Sequence, residues 1–396
     1  MRRETHAFGT AARPDAIRRH NLGLLLGHVH RDGELTRAEL TQRLGMSRST
    51  IGALVAELVE QGYLLERVPT GGASGAGRPS FVVAPRPDGP YAIAVDVDVT
   101  ELFCAAVGLG GTILARREIE LVSPPTPQEV CSLVLDAVDA FAKELPASAW
   151  PVGLGLSLPG IVSRDGTIVL APNLDWHDVP LGRMLADAAP KGIPVIIAND
   201  ADVAVTAERL RGAARGMDDV IYLIGRVGVG AGIIADGRAL HGRDGHAGEV
   251  GHNVVDPAGP KCHCGKRGCV ETYIGDKALL RLAGRRRPPT LAVMERLFGD
   301  AASGDAKAAD AIRTVARDLG RTISSLVNVL NPETVILGGT LADVFSFAGE
   351  VVQAEVTKQA LPPDEDGLKL VLPGLGADSM LLGAAERIFD TALAAL

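Results

Sequence analysis

The sequence predicts an α/β protein in two parts: a mainly helical winged helix-turn-helix at the N-terminus, then a larger body of two α/β lobes enclosing a cleft. The first 84 residues carry three short runs with helix periodicity and capping signals, followed by two strand-like runs. From Tyr91 onward, apolar strand runs that end in Pro-Gly, Asn-Asp or Gly-Gly are interleaved with amphipathic helical runs, the mark of α/β layering. The chain has 396 residues and is 46% hydrophobic but only 4% aromatic. That is long enough for two or three domains with cores of Ala, Val, Leu and Ile.

In the head, Pro14–Arg31 places Ile17, Leu22, Leu25, Leu26 and Val29 at helical spacing, and Asp32-Gly33 stops the run. Thr36 followed by Glu39 is a capping box, so a short helix is expected at Arg37–Leu44, ended by a turn at Gly45. Ser47 caps a further helix, Arg48–Gln61, with Ile51, Leu54, Val55 and Leu58 on its apolar face. Helix, short turn, helix is the helix-turn-helix arrangement. Tyr63–Val68 and Ser80–Ala84 read as the strands of a wing, joined by PTGGASGAGR. Residues 1–84 are thus expected to form a DNA-binding domain with a self-contained core; three ordinary core helices of a larger domain are the competing reading.

Arg48, Ser49 and Thr50 stand at the N-terminal end of the second motif helix, the part that reaches base edges. Arg37 and Arg43 are candidates for phosphate contacts. Arg78, between Gly77 and Pro79, suits a narrow minor groove, or is a plain loop arginine. Residues 1–84 hold 11 arginines against 8 carboxylates, a basic head on a chain of net charge −8. A basic head on an acidic body fits an operator-DNA reader attached to something else. Symmetric half-sites call for paired heads, hence a homodimer or a tetramer of it.

Residues 85–90, PRPDGP, read as a linker, and 91–396 as the body. Strands are expected at Tyr91–Val97, Leu102–Leu109, Ile113–Leu121, Val152–Leu158, Val195–Ala198, Val220–Ile224, Gly230–Ala235, Thr334–Leu337 and Leu368–Leu372. Helices are expected at Gln128–Lys143, after Asn199-Asp200 through about Gly212, at Ala306–Leu330 and at Met380–Ala395. No apolar run reaches membrane-spanning length and no leader is visible, so a cytoplasmic protein without a membrane partner is expected. Cys104 and Cys131 sit in apolar runs and read as reduced core residues. Arg285-Arg286-Arg287 reads as a solvated loop.

The segment Gly248–Glu271, GEVGHNVVDPAGPKCHCGKRGCVE, gathers His252, Cys262, Cys264 and Cys269. Three thiolates and one imidazole form a closed tetrahedral set for Zn²⁺, with no open position for a catalytic water. Cysteines buried as small hydrophobes, or a local disulfide, are the alternatives.

The whole chain resembles the ROK family, specifically its repressor branch. The resemblance rests on GEVGH followed by CHCGKRGCVE, on NDADVAVTAE at Asn199–Glu208, and more weakly on LPGIV at Leu158–Val162 and VILGG at Val335–Gly339. It implies a body with the sugar-kinase fold related to actin and hexokinase. It also implies a sugar or sugar phosphate effector bound by Asn199, Asp200, Glu249, His252 and Glu271, with Asp200 at the place of the kinase general base. Kinases of the family carry a glycine-rich phosphate loop after the first strand of the body; here that place reads Asp96-Val97-Asp98-Val99-Thr100. Asp98 repels a triphosphate and Val99 blocks close approach of the backbone. Val227 stands where a phosphate-binding Thr is expected. The sequence therefore points to a sugar-responsive transcriptional regulator, a repressor of carbohydrate-metabolism genes, that has lost ATP. The alternatives are an active sugar kinase with an added head, and a regulator that senses a protein partner.

Overall fold

The structure, a computed structural model, describes residues 14–68, 81–190, 192–361 and 367–396. The head runs α1 (Pro14–Asp32), β1 (Leu35–Thr36), α2 (Arg37–Leu44), α3 (Arg48–Glu60), β2 (Leu64–Arg67) and β3 (Val82–Pro85). The Thr36–Glu39 capping box forms as expected, and Gly45 takes the left-handed turn at φ 62° that ends α2. Ser47 caps α3 through the Thr50 backbone N–H. β3 is the central strand of the wing sheet, flanked by β1 and β2. The wing tip with Gly77-Arg78-Pro79 lies outside the described residues.

The first lobe of the body continues with β4 (Pro90–Val97), β5 (Glu101–Gly108), β6 (Ile113–Glu120), α4 (Pro127–Glu144) and β7 (Trp150–Leu158). A small antiparallel sheet follows, β8 (Ile161–Val162), β9 (Ile168–Ala171) and β10 (Trp176–Val179), then α5 (Leu181–Ala188), β11 (Val195–Asn199) and α6 (Asp200–Arg211). The main sheet has the order β11-β7-β4-β5-β6, with β4 buried along its whole length. Its parallel members need crossover helices, which α4 and α5 supply.

The second lobe holds β12 (Val220–Gly225), β13 (Val229–Ala235), β14 (Arg238–Ala239), α7 (Glu271–Ile274), α8 (Asp276–Leu282), α9 (Leu291–Ala302), α10 (Ala306–Leu330), β15 (Thr334–Gly339), α11 (Thr340–Gln359) and β16 (Lys369–Val371), and the last helix is α12 (Ser379–Ala394). Its sheet has the order β14-β13-β12-β15-β16. α12 returns to the first lobe: a Cβ on Gly155 of β7 would stand 2.1 Å from the Ala384 carbonyl oxygen. Among the described residues no helix is long and apolar enough to cross a membrane.

Two expectations change. The linker shrinks to residues 86–89, because Pro85 closes β3 and Pro90 opens β4. The head core is also not self-contained. Leu22, Leu25, Leu26, Ile51 and Leu58 belong to one buried cluster with Ala92 and Ala94 of β4 and with Leu381, Ala385, Ile388 and Phe389 of α12. Tyr63 packs edge-on against Trp150 of the body, with ring centroids 5.6 Å apart.

Candidate functional site

β11 ends in Asn199, and α6 starts from it. The Asn199 side-chain oxygen accepts the backbone N–H groups of Ala201 and Asp202, and its amide nitrogen donates to the Gly160 carbonyl at 3.0 Å. Asp200, the first residue of α6, is therefore delivered to the bottom of the interlobe cleft. There Asn199, Asp200, Glu249, His252 and Glu271 line one cavity together. The same cavity takes in His263, Asn173 and Arg226, which the sequence reading did not select. His263 Nδ1 lies 2.9 Å from Glu271 Oε1.

The pocket is rich in carboxylates, and those of Asp200 and Glu271 are buried. Burial pushes the Asp200 carboxyl up to about 6; Arg226 opposes this and Asp96 adds to it. Burial, joined by the charges of Asp200, Asp202 and Glu271, pushes Glu249 up to about 7. Such groups accept hydroxyl donors well and have few internal donors of their own to satisfy them.

Beside this pocket, the turn after β12 sends Arg226 across the cleft to the end of β4. Its Nη2 donates to Asp96 Oδ2 at 3.2 Å, and its Nη1 lies 3.1 Å from Asp98 Oδ2. Ser157 donates to the other Asp96 oxygen at 2.7 Å. Burial acts against the Arg226 charge, but Asp96, Asp98 and Asp200 outweigh it and push its pKa up. A second cavity of about 410 Å³ opens on the far side of Arg226, lined by Asp96, Asp98, Glu101, Asp276 and Asp343 among others.

The cysteine loop folds as its glycines allow. Gly268 has φ 67°, and a Cβ there would stand 1.6 Å from the Asp256 carbonyl oxygen. His252, Cys262, Cys264 and Cys269 bring four potential ligand atoms within 4.8 Å of one another. Cys262 Sγ lies 3.8 Å from His252 Nδ1, and Cys264 Sγ lies 3.7 Å from Cys269 Sγ. A tetrahedron with Zn–S bonds of ~2.3 Å has edges of about 3.8 Å, so the donor set fits the metal. All five cysteines are free thiols. The other ring nitrogen of His252 faces Glu249, 4.0 Å from its Oε2.

On the head, Arg48, Ser49 and Thr50 are exposed at the start of α3. The Ser47 hydroxyl holds both Ser49 Oγ and Thr50 Oγ1 at 2.8 Å. Arg37 forks onto Glu66 of the wing and lies over the Phe81 ring. Arg43 pairs with Asp32. These two arginines spend their charge on the head itself.

The sequence profile of the ROK family matches residues 92–390, and that of the MarR family matches residues 23–73. The chain belongs to the ROK family. It carries the family's sugar-kinase fold behind a MarR-type winged helix. It is 28% identical to a xylose repressor of Bacillus subtilis, covering 94% of this chain and 96% of that one. A glucokinase of Thermotoga maritima is 35% identical over 75% of this chain and 96% of its own length. The crystal structure of a ROK family transcriptional regulator, a homologue of the E. coli MLC protein, superposes with a TM-score of 0.77 at 28% identity, covering 96% of this chain and 97% of that one. The kinase relative covers three quarters of this chain, whereas the xylose repressor and the transcriptional regulator cover nearly all of it.

Proposed function

We propose that this ROK protein is a sugar-responsive, DNA-binding transcriptional regulator, a repressor of carbohydrate-metabolism genes, and that it does not phosphorylate its sugar. The observation that carries the reading is Arg226. Its guanidinium lies between Asp96 and Asp98 at the end of β4, where the family's kinases place their phosphate loop. An internal cation already occupies that corner, its flanking carboxylates repel a triphosphate, and residues 96–100 hold no glycine to open the backbone to it. The sugar side keeps its polar set: Asn199, Asp200, Glu249, His252 and Glu271 around one cavity. Asp200 then serves as a hydroxyl acceptor and not as a base.

Zn²⁺ held by His252, Cys262, Cys264 and Cys269 would tie the loop that presents His252 and Glu271 to the sugar. His252 binds it through Nδ1 and keeps its Nε2 for the ligand. Arg48, Ser49 and Thr50 read base edges from α3, and Arg78 reaches the minor groove from the wing. The functional unit is a homodimer with two heads on a two-fold operator, working in the cytoplasm.

Two measurements test the reading together. A melting screen against D-xylose, D-glucose and their phosphates should show stabilisation by at least one sugar, since a ligand bound to the fold alone raises stability. A coupled ADP-release assay with the same sugars should show no turnover. Turnover above roughly 1 s⁻¹, the range of kinases, would establish the kinase reading instead.

A further inference from the structure

α6 joins two places that are far apart in function. Asn199 caps it and Asp200 opens it, both on the cavity assigned to the sugar. Its last residue, Arg211, touches the DNA head. Arg211 Nε donates to Glu386 Oε1 at 2.7 Å, and Nη2 donates to the His30 carbonyl at 3.0 Å, near the end of α1. Twelve residues of helix span about 18 Å, so one rigid element runs from pocket to head.

The far end is built to hold. His30, Glu386 and Arg211 side chains are 3%, 2% and 11% exposed. The Gly110 N–H donates to His30 Nδ1 at 3.0 Å, and His30 Nε2 lies 2.8 Å from Glu386 Oε2 and 2.9 Å from Arg211 Nη2. Burial pushes the Glu386 carboxyl up, but the hydrogen bond with His30, joined by the charge and hydrogen bond of Arg211, outweighs it and holds it below the usual range. α6 is also bolted to α12. Ser379 donates to Glu208 Oε1 at 2.7 Å, and a Cβ on Gly383 would stand 2.0 Å from the Val203 carbonyl oxygen. A second head–body bond, Arg215 to Asp32 at 2.9 Å, is solvent-exposed and weak by comparison.

We propose that α6 is the rod that transmits sugar binding to the DNA head, and that Arg211 is the positioning residue at its output end. This rests on the regulator reading above. Lobe closure around a sugar displaces Asp200 along with the start of α6. The helix does not compress, and the buried Arg211 bonds weaken steeply if stretched or bent. α1 therefore moves with the rod, and α3, packed in the same core, changes its presentation to DNA.

The test uses full-length protein, D-xylose and D-glucose as probes, and a duplex selected by the protein from a random library. In wild type the effective sugar should change the duplex Kd by a factor of roughly 5 to 150, and the duplex should change the sugar Kd equally. In Arg211→Lys, a point charge replaces the planar fork. The coupling factor should fall below about twofold while each separate Kd stays within about threefold of wild type. Arg211→Met should behave alike where it folds, and Arg215→Ala should keep full coupling. Undiminished coupling in folded Arg211→Lys would overturn the rod while leaving the regulator reading standing. So would loss of both binding activities in that variant, which would make Arg211 merely structural. A wild type that binds the duplex but shows no sugar effect would overturn both.

Discussion

Asp200→Asn is expected to make the sugar-free protein more stable, and by an amount that depends on pH. The carboxyl is buried and titrates at about 6 in the fold against an ordinary value of 3.8. Ionising it therefore costs about 3 kcal/mol more in the folded protein than in the unfolded chain. Below the ordinary value both states are protonated and the group is neutral in its effect. As pH rises from about 4 to about 6 the unfolded state releases its proton first, and wild type loses stability until the folded group also ionises. Asparagine does not titrate, and its side-chain oxygen still accepts the Ala201 N–H that Asp200 accepts at 2.8 Å. The advantage of the variant should be about 1 kcal/mol at pH 4.5 and approach about 3 kcal/mol at pH 7. Urea unfolding followed by the fluorescence of Trp150 and Trp176 would read it at both pH values. An equal gain at both, or a loss at pH 7, would refute the assignment of a strained buried carboxylate. Sugar affinity should fall in the same variant, because an amide N–H₂ replaces one acceptor oxygen.

Cys264→Ser should release stoichiometric zinc, seen by elemental analysis, and lower the melting temperature by loosening the His252–Cys269 loop; a metal-free wild type would sink the zinc site. Arg48→Ala should cost about 1–3 kcal/mol in specific operator binding with little effect on non-specific binding, measured by titration at fixed salt. Arg226→Ala should destabilise the protein by about 3–5 kcal/mol, because Asp96 is left buried without its cation; a melting curve like that of wild type would show the bridge to be dispensable.

Local signals carried much of the fold into the sequence. The Thr36–Glu39 box, the Ser47 cap and the left-handed Gly45 are short-range devices, and they fixed α2 and α3 to within a residue. α10 was legible to its ends because its apolar face is sustained over many turns. α11 went unread. Its buried face, Leu341, Val344, Ala348, Val352 and Val356, has helical spacing, but Phe345, Phe347 and Val351 blur it on the other side and the backbone kinks at Ala348. The five sugar-side residues came from motif resemblance. His263 was hidden because it sits between Cys262 and Cys264, which drew the reading to themselves, and Arg226 because its partners lie more than a hundred residues away. The His30–Glu386–Arg211 cluster joins three distant segments and leaves no local trace at all.

The shared core of head and body sets a practical limit on how this chain can be cut or rebuilt. A body begun at Tyr91 would present Leu381, Ala385, Ile388 and Phe389 of α12 to water, together with a Glu386 that has lost its His30 partner. Such a fragment is a candidate for inclusion bodies instead of a soluble sugar binder. By the same logic, a transplanted reading head would need α12 rewritten to receive it. Operator choice and the C-terminal helix form one design unit, although they lie at opposite ends of the chain.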